Sequence, residues 1–192
     1  MDGNGKQGQE GTNPGEKAEL QIEKADPSGL EEIRMFYHSL IDEMHRRGLP
    51  VTWKKDIYPN RVFLKQALEE GTLYTGRSAG RLVSVMVLNH RHSPEYEQGT
   101  WQETLGDSQV MVLHALGVHP DAGRRGIGRK MVAEALRIAR AERAGALRLD
   151  VLRGNEPARK LYLACGFAEC GSVTLFYENT GLQVFDLMEA LL

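Results

Sequence analysis

Two glycines, Gly126 and Gly128, stand between an apolar run and a helical pattern, with Arg124, Arg125, Arg129 and Lys130 around them. Glycine lacks a Cβ, so backbone at such a turn can approach a ligand closely, and the first N–H groups of the helix that follows have no partner within it. Those donors, the positive end of the helix dipole and four cationic side chains suit a bound anion, above all a phosphate. A Walker-type loop would need a Gly-Lys-Ser or Gly-Lys-Thr string, which does not occur. A dinucleotide fingerprint would need a third glycine where Met131 stands, although Asp150, 22 residues after Gly128, mimics its ribose-binding acid. A dinucleotide-binding module therefore stays open as a rival reading.

Other residues with chemical potential are sparser. His90 and His92 with Glu95 sit in a polar stretch, where surface histidines explain them better than a metal site, and no metal is expected. Cys165 and Cys170 are too few for a four-cysteine zinc site and are not spaced as Cys-x-x-Cys, so they read as small buried apolar residues.

The elements that must position the glycine turn are legible around it. Val110 to His119 is a nearly continuous apolar run, as for a strand covered on both faces. After the turn, Met131, Val132, Ala135, Leu136, Ile138 and Ala139 form a helical stripe, which Gly145 closes. Ala146 to Leu152 is a second strand, and the three pieces make a βαβ unit with parallel strands. A short helix from Pro157 to Ala164 ends at Gly166, and strands over Phe167–Tyr177 and Val184–Met188 meet at Asn179, Thr180 and Gly181. Upstream, Leu20 and Ile22 suit a strand edge, Leu30 to Met44 recurs at helical spacing up to Gly48, and Val62 to Leu68 forms a helix that Gly71 stops. Leu73–Arg77 and Leu82–Asn89 suit a hairpin, and the polar loop from His90 to Asp107 is long enough to be functional. The expected class is α/β: a mixed, mostly antiparallel sheet with a central parallel pair, flanked by helices.

The 192 residues suit one domain over 19–192 preceded by a glycine-rich, flexible tail over 1–18. The net charge of -2 argues against a broadly basic nucleic-acid binder. It conceals a local excess, since residues 121–160 hold 11 basic and 5 acidic side chains. No apolar run is long enough for a membrane span, no signal peptide is visible, and a cytoplasmic location is expected.

Val118-His119-Pro120, Arg124-Arg125-Gly126-Ile127-Gly128, Asn155, Ala158, Leu161-Tyr162 and Gly166-Phe167 match in order and spacing the GNAT superfamily of acyl-CoA-dependent N-acetyltransferases, which the chain resembles over residues 110–168. One departure is Gly123, where the superfamily often has Arg or Gln; since backbone N–H groups hold the pyrophosphate, this implies weaker rather than lost binding. The resemblance implies acetyl-CoA as cosubstrate and an amine as acceptor, with a homodimer as a family-level expectation. It implies that the Val112–Val118 strand splays from Ala146–Leu152 to admit the pantetheine arm, with the Leu116 and Val118 N–H groups facing its carbonyls and Gly117 between them marking a bulge. Ile127 and Arg129 fall within the same cofactor-binding turn.

Transfer to an alkyl amine requires its neutral form, which at pH 7 costs about 4–5 kcal/mol. His114 is the candidate base, placed by strand alternation on one face with Val112 and Leu116. Its stretch Leu113-His114-Ala115-Leu116 resembles arylalkylamine acetyltransferases. Tyr162 matches the superfamily tyrosine that gives a proton to the leaving thiolate, and Asn155 matches a residue that fixes the turn before it and often touches the cofactor. Family architecture would line the acceptor pocket with Trp53, Tyr58, Tyr96, Trp101, Phe176 and Tyr177. Without an unambiguous glutamate base, a non-catalytic acyl-CoA-binding or sensing module stays open.

Overall fold

The computed structural model describes residues 19–49, 51–122, 126–177 and 181–192, with the side chain of Tyr177 left out. The 1–18 segment, Gly123, Arg124, Arg125 and the turn residues Asn179 and Thr180 lie outside these. Among the described residues, seven strands form one sheet: β1 (Leu20–Lys24), β2 (Leu73–Ser78), β3 (Arg81–Asn89), β4 (Val110–Val118), β5 (Ala146–Leu152), β6 (Ala168–Tyr177) and β7 (Gly181–Leu191). Their order is β1-β2-β3-β4-β5-β7-β6. Every neighbouring pair is antiparallel except β4 with β5.

Four α-helices among the described residues cover the sheet: α1 (Leu30–Arg46), α2 (Arg61–Glu69), α3 (Ile127–Ala141) and α4 (Glu156–Ala164). The α3 stripe of Met131, Val132, Ala135, Ile138 and Ala139 packs on one face, against Met86, Leu88, Leu147 and Leu149, and α4 adds Tyr162 to this core. On the other face α1 and α2 bury Ile33, Tyr37, Leu40, Leu64 and Leu68 against Leu73, Val85 and Val87. Farther along that face, the segment after β3 covers β5–β7 with Tyr96 and Trp101.

All four helices close with the same pair of backbone bonds, one from the N–H of the second residue past the cap and one from the residue before it. Gly48, Gly71 and Gly166 supply the left-handed residue for α1, α2 and α4. At α3 that residue is Arg143, with φ 59, rather than Gly145. Gly145 serves another purpose: a Cβ there would lie 3.1 Å from Leu105 Cδ1. Among the described residues, no helix is long and apolar enough to cross a membrane.

Two irregularities of β4 shape the site. First, it pairs with β5 only from Val110/Ala146 to Val112/Arg148, after which both strands continue apart. Second, β3 register passes from Val87/His114 to Val85/Gly117, so Ala115 and Leu116 together oppose Met86. The extra residue is a bulge, and Ala115 carries it at φ 50, a left-handed value costly for a residue with a Cβ. The bulge lies at Ala115 and Leu116 rather than at Gly117, which pairs in register with Val85, and it corrects the face expected for Leu116. Val112 stays with the Tyr96 side of the sheet, whereas Leu116 and Val118 turn to the α3–α4 side.

Candidate active site

The splay opens a cavity of about 350 Å³ through the sheet. Leu116, Gly117, Val118, Gly128, Asn155, Ala158, Leu161 and Tyr162 line it toward α3 and α4, and Met44, Val51, Trp53, Tyr58 and Phe185 line it elsewhere. His114 and Asp150 stand on the facing strands.

The bulge is braced from α1. Tyr37, fully buried, donates its hydroxyl to the carbonyl of Ala115 at 2.7 Å. Gly117 is demanded by packing as well: a Cβ there would lie 2.7 Å from Leu40 Cδ2 and 3.3 Å from the Tyr37 ring. Tyr37→Phe keeps the ring but orphans a buried carbonyl. It should cost about 1–3 kcal/mol in urea unfolding, and a raised KM for acetyl-CoA should accompany it if the bulge shapes the cofactor's place.

The α3 amino end begins at Gly126, in the left-handed region at φ 68, and no side chain caps it. Ile127, Gly128 and Arg129 form its first turn, whose N–H groups have no partner within the helix, and Gly128 borders the cavity. At Gly128 a Cβ would crowd Leu161 Cδ2 to 3.0 Å, which lets α3 and α4 approach closely. These features fit a pyrophosphate and its pantetheine arm. Arg124 and Arg125 lie outside the described residues.

Tyr162 is fixed by both ends of its helix. Asn155 caps α4, its Oδ1 accepting from the Ala158 N–H at 3.3 Å. At the other end Phe167 N–H bonds to the Tyr162 carbonyl, and the two rings pack 5.7 Å apart. Tyr162 is buried but borders the cavity, and burial, with Asp150 nearby, pushes its phenol pKa upward, so the hydroxyl keeps its proton.

His114 Nε2 lies 3.1 Å from Asn89 Oδ1 and 2.9 Å from the carbonyl of Arg91. Burial pulls its pKa below the usual imidazole value, while the neighbouring Asp150 opposes the shift. Asp150 moves the other way. Burial pushes its carboxyl up, against the Tyr96 hydroxyl, which donates at 2.7 Å, and the charge of His114. Asp150 was legible only as a mimic of a ribose-binding acid, because nothing in the sequence shows that β4 and β5 bring it toward His114.

Several expected pocket residues stand elsewhere. Trp53 and Tyr58 do border the cavity. Tyr96 is buried scaffold that holds Asp150, and Trp101 bonds the Tyr96 carbonyl through Nε1 at 2.8 Å while its ring covers the Arg148 guanidinium at 4.0 Å. Phe176 is 68% exposed and is not among the lining residues, and the Tyr177 side chain lies outside the described residues. His90 binds the Val110 carbonyl and His92 stacks on Tyr96, so both serve the 90–109 segment.

A second cavity of about 300 Å³ carries Ser39, His119 and Asp121. Ser39 Oγ is 3.0 Å from His119 Nε2, but His119 Nδ1 accepts the Asp121 backbone N–H at 3.3 Å. A neutral His119 then bears its proton on Nε2, toward the serine, and cannot take the serine's proton. The Asp121 carboxylate is engaged by Arg47 at 2.6 Å.

A parallel strand pair that splays past Val112, with a bulge at Ala115 and an uncapped helix start beside it, fits an acyl-CoA-type transferase site. The family model described as Acetyltransferase (GNAT) family matches residues 34–167, and the chain belongs to that family. It is an acetyl-CoA-dependent N-acetyltransferase by that membership. Among curated proteins it is similar to N-alpha-acetyltransferase RimI of Mycobacterium tuberculosis, 29% identical over 136 residues, covering 69% of this chain and 75% of that one. It is also similar to streptothricin acetyltransferase of Streptomyces lavendulae, 36% identical over 76 residues, 40% of each chain. A GNAT-family acetyltransferase structure from Streptococcus agalactiae shares the fold with a TM-score of 0.74 at 19% identity, covering 90% of this chain and 95% of that one.

Proposed function

We propose that the chain transfers the acetyl group of acetyl-CoA to the primary amine of a small-molecule acceptor by direct attack, both substrates meeting between β4 and β5. The carrying observation is the single cavity through the sheet that brings the backbone of Leu116–Val118 together with His114, Asp150 and Tyr162. When bound, acetyl-CoA supplies the acetyl group as a thioester and departs as the thiol. Gly126, Ile127 and Gly128 offer backbone N–H groups to its phosphates, and Arg124, Arg125 and Arg129 offer charge. The backbone of Leu116, Gly117 and Val118, at and just past the bulge, orients the pantetheine arm and offers a donor to the thioester carbonyl. Asn155 holds the start of α4 beside it.

His114, kept neutral by burial, takes the proton of the amine, and Asp150 stabilises the imidazolium that forms. Tyr162 holds at Oη the proton for the leaving sulfur. The two thiols, Cys165 and Cys170, are unpaired, which suits a reducing cytoplasm. Direct attack predicts initial-rate lines that intersect when both substrates are varied; parallel lines, the mark of an acetylated enzyme, would contradict it.

The pH profile tests the base. The acid limb of kcat/KM should lie below the ordinary imidazole value of 6.5, because burial lowers the pKa of His114. Asp150 raises that pKa, so Asp150→Asn should move the limb to still lower pH. A limb that stays in place or moves upward would remove the pairing.

A further inference from the structure

We propose that the acceptor is a compact amine with one cationic nitrogen on a flat apolar body, selected by Trp53. This rests on the acetyltransferase reading above and names the acceptor class that the same cavity takes.

The wall away from α3 and α4 sets one polar side chain, Thr52, among Leu40, Met44, Val51, Trp53, Tyr58 and Phe185, a set that rewards mainly apolar surface. Its polar end is His114 with Asp150, whose carboxyl is strained upward in pKa by burial. A cationic nitrogen arriving there offsets that desolvation and then has its proton acceptor at hand. The nitrogen is thereby placed at the polar end and the body of the amine along the aromatic wall.

The wall is built before any acceptor arrives. The Trp53 ring stands edge-on to Tyr37 at 5.7 Å and to Tyr58 at 6.1 Å. Its loop is tied to α1 by Arg34 to Asp56 at 2.6 Å, His38 to Asp56 at 3.1 Å and Lys55 to Asp42 at 2.6 Å. Aromatic faces held rigidly favour a flat partner, since little side-chain freedom is lost on contact. Volume sharpens the choice: the cavity of about 350 Å³ equals about a dozen water molecules at liquid density. The end of the pantetheine arm shares that space, so the walled part suits the short body of a small amine.

The test compares kcat/KM for 2-phenylethylamine, spermidine and an alanine-initiated hexapeptide in wild type, Trp53→Ala and Trp53→Leu, with acetyl-CoA affinity followed by calorimetry. Phenylethylamine should lead the other two by at least about tenfold, an energy of about 1.4 kcal/mol. Both variants should raise its KM about tenfold or more while acetyl-CoA binding stays within about twofold; Trp53→Leu keeps most of the bulk if the alanine variant folds poorly. Preference for spermidine or the peptide, or an unchanged KM in a variant that binds acetyl-CoA, overturns the acceptor class and leaves the acetyltransferase reading standing. Turnover with none of the three, despite acetyl-CoA binding, overturns both.

Discussion

Tyr162→Phe should lower kcat by about 10²-fold or more, with the KM for acetyl-CoA changed no more than a few-fold. The substitution removes one oxygen and leaves the ring against Phe167. The helix under it is held at Asn155 by a side-chain cap and past Ala164 by the turn through Gly166. The ring therefore has little reason to move, and the loss reports the hydroxyl alone. Burial raises the pKa of that hydroxyl, so it keeps its proton at neutral pH. A wild-type kcat in the variant would assign proton delivery to another group.

The second large effect concerns a residue outside the cavity lining. Glu189 on β7 is wholly buried, accepting Arg148 Nε at 2.9 Å with one oxygen and the Gln102 N–H at 2.8 Å with the other. Arg148 is buried too, donates to the Glu103 carbonyl at 3.2 Å and lies under Trp101. Glu189→Ala leaves an uncompensated guanidinium in the interior, and should cost about 3–5 kcal/mol in urea unfolding. The paired change Glu189→Leu with Arg148→Met removes both charges and should cost markedly less. A loss under about 1 kcal/mol for the single change would mean that the pair is hydrated or replaceable, contrary to ordinary buried pairs. Function should follow stability here, because Trp101 bonds to Tyr96 and Tyr96 holds Asp150.

That relay explains what could and could not be read from the chain. The β5 strand falls where its apolar alternation puts it, at Ala146–Leu152. Helix ends followed glycine wherever glycine supplied the left-handed residue, and failed at Arg143, where backbone bonds alone impose that conformation. The bulge at Ala115 was invisible for a different reason. A run apolar on both faces carries no alternation to interrupt, so the flip of Leu116 away from His114 leaves no trace in residue types. The Gly126–Gly128 turn was legible because its chemistry is local. Tyr37 was not, since its hydroxyl meets Ala115 across 78 residues of chain. The segment from His90 to Asp107 is long for a loop, yet Tyr96 and Trp101 in it are scaffold. Aromatic type alone does not say whether a ring faces a cavity or a buried arginine.

We propose that the splayed cleft carries acetyl transfer to an amine. Thiol release from acetyl-CoA, followed with and without a saturating amine, tests it most directly. Release should rise with amine concentration, saturate, and fall about 10²-fold or more in Tyr162→Phe. Acetyl-CoA that binds by calorimetry but releases thiol at one rate whatever amine is present would contradict the account and favour a non-catalytic acyl-CoA-binding module.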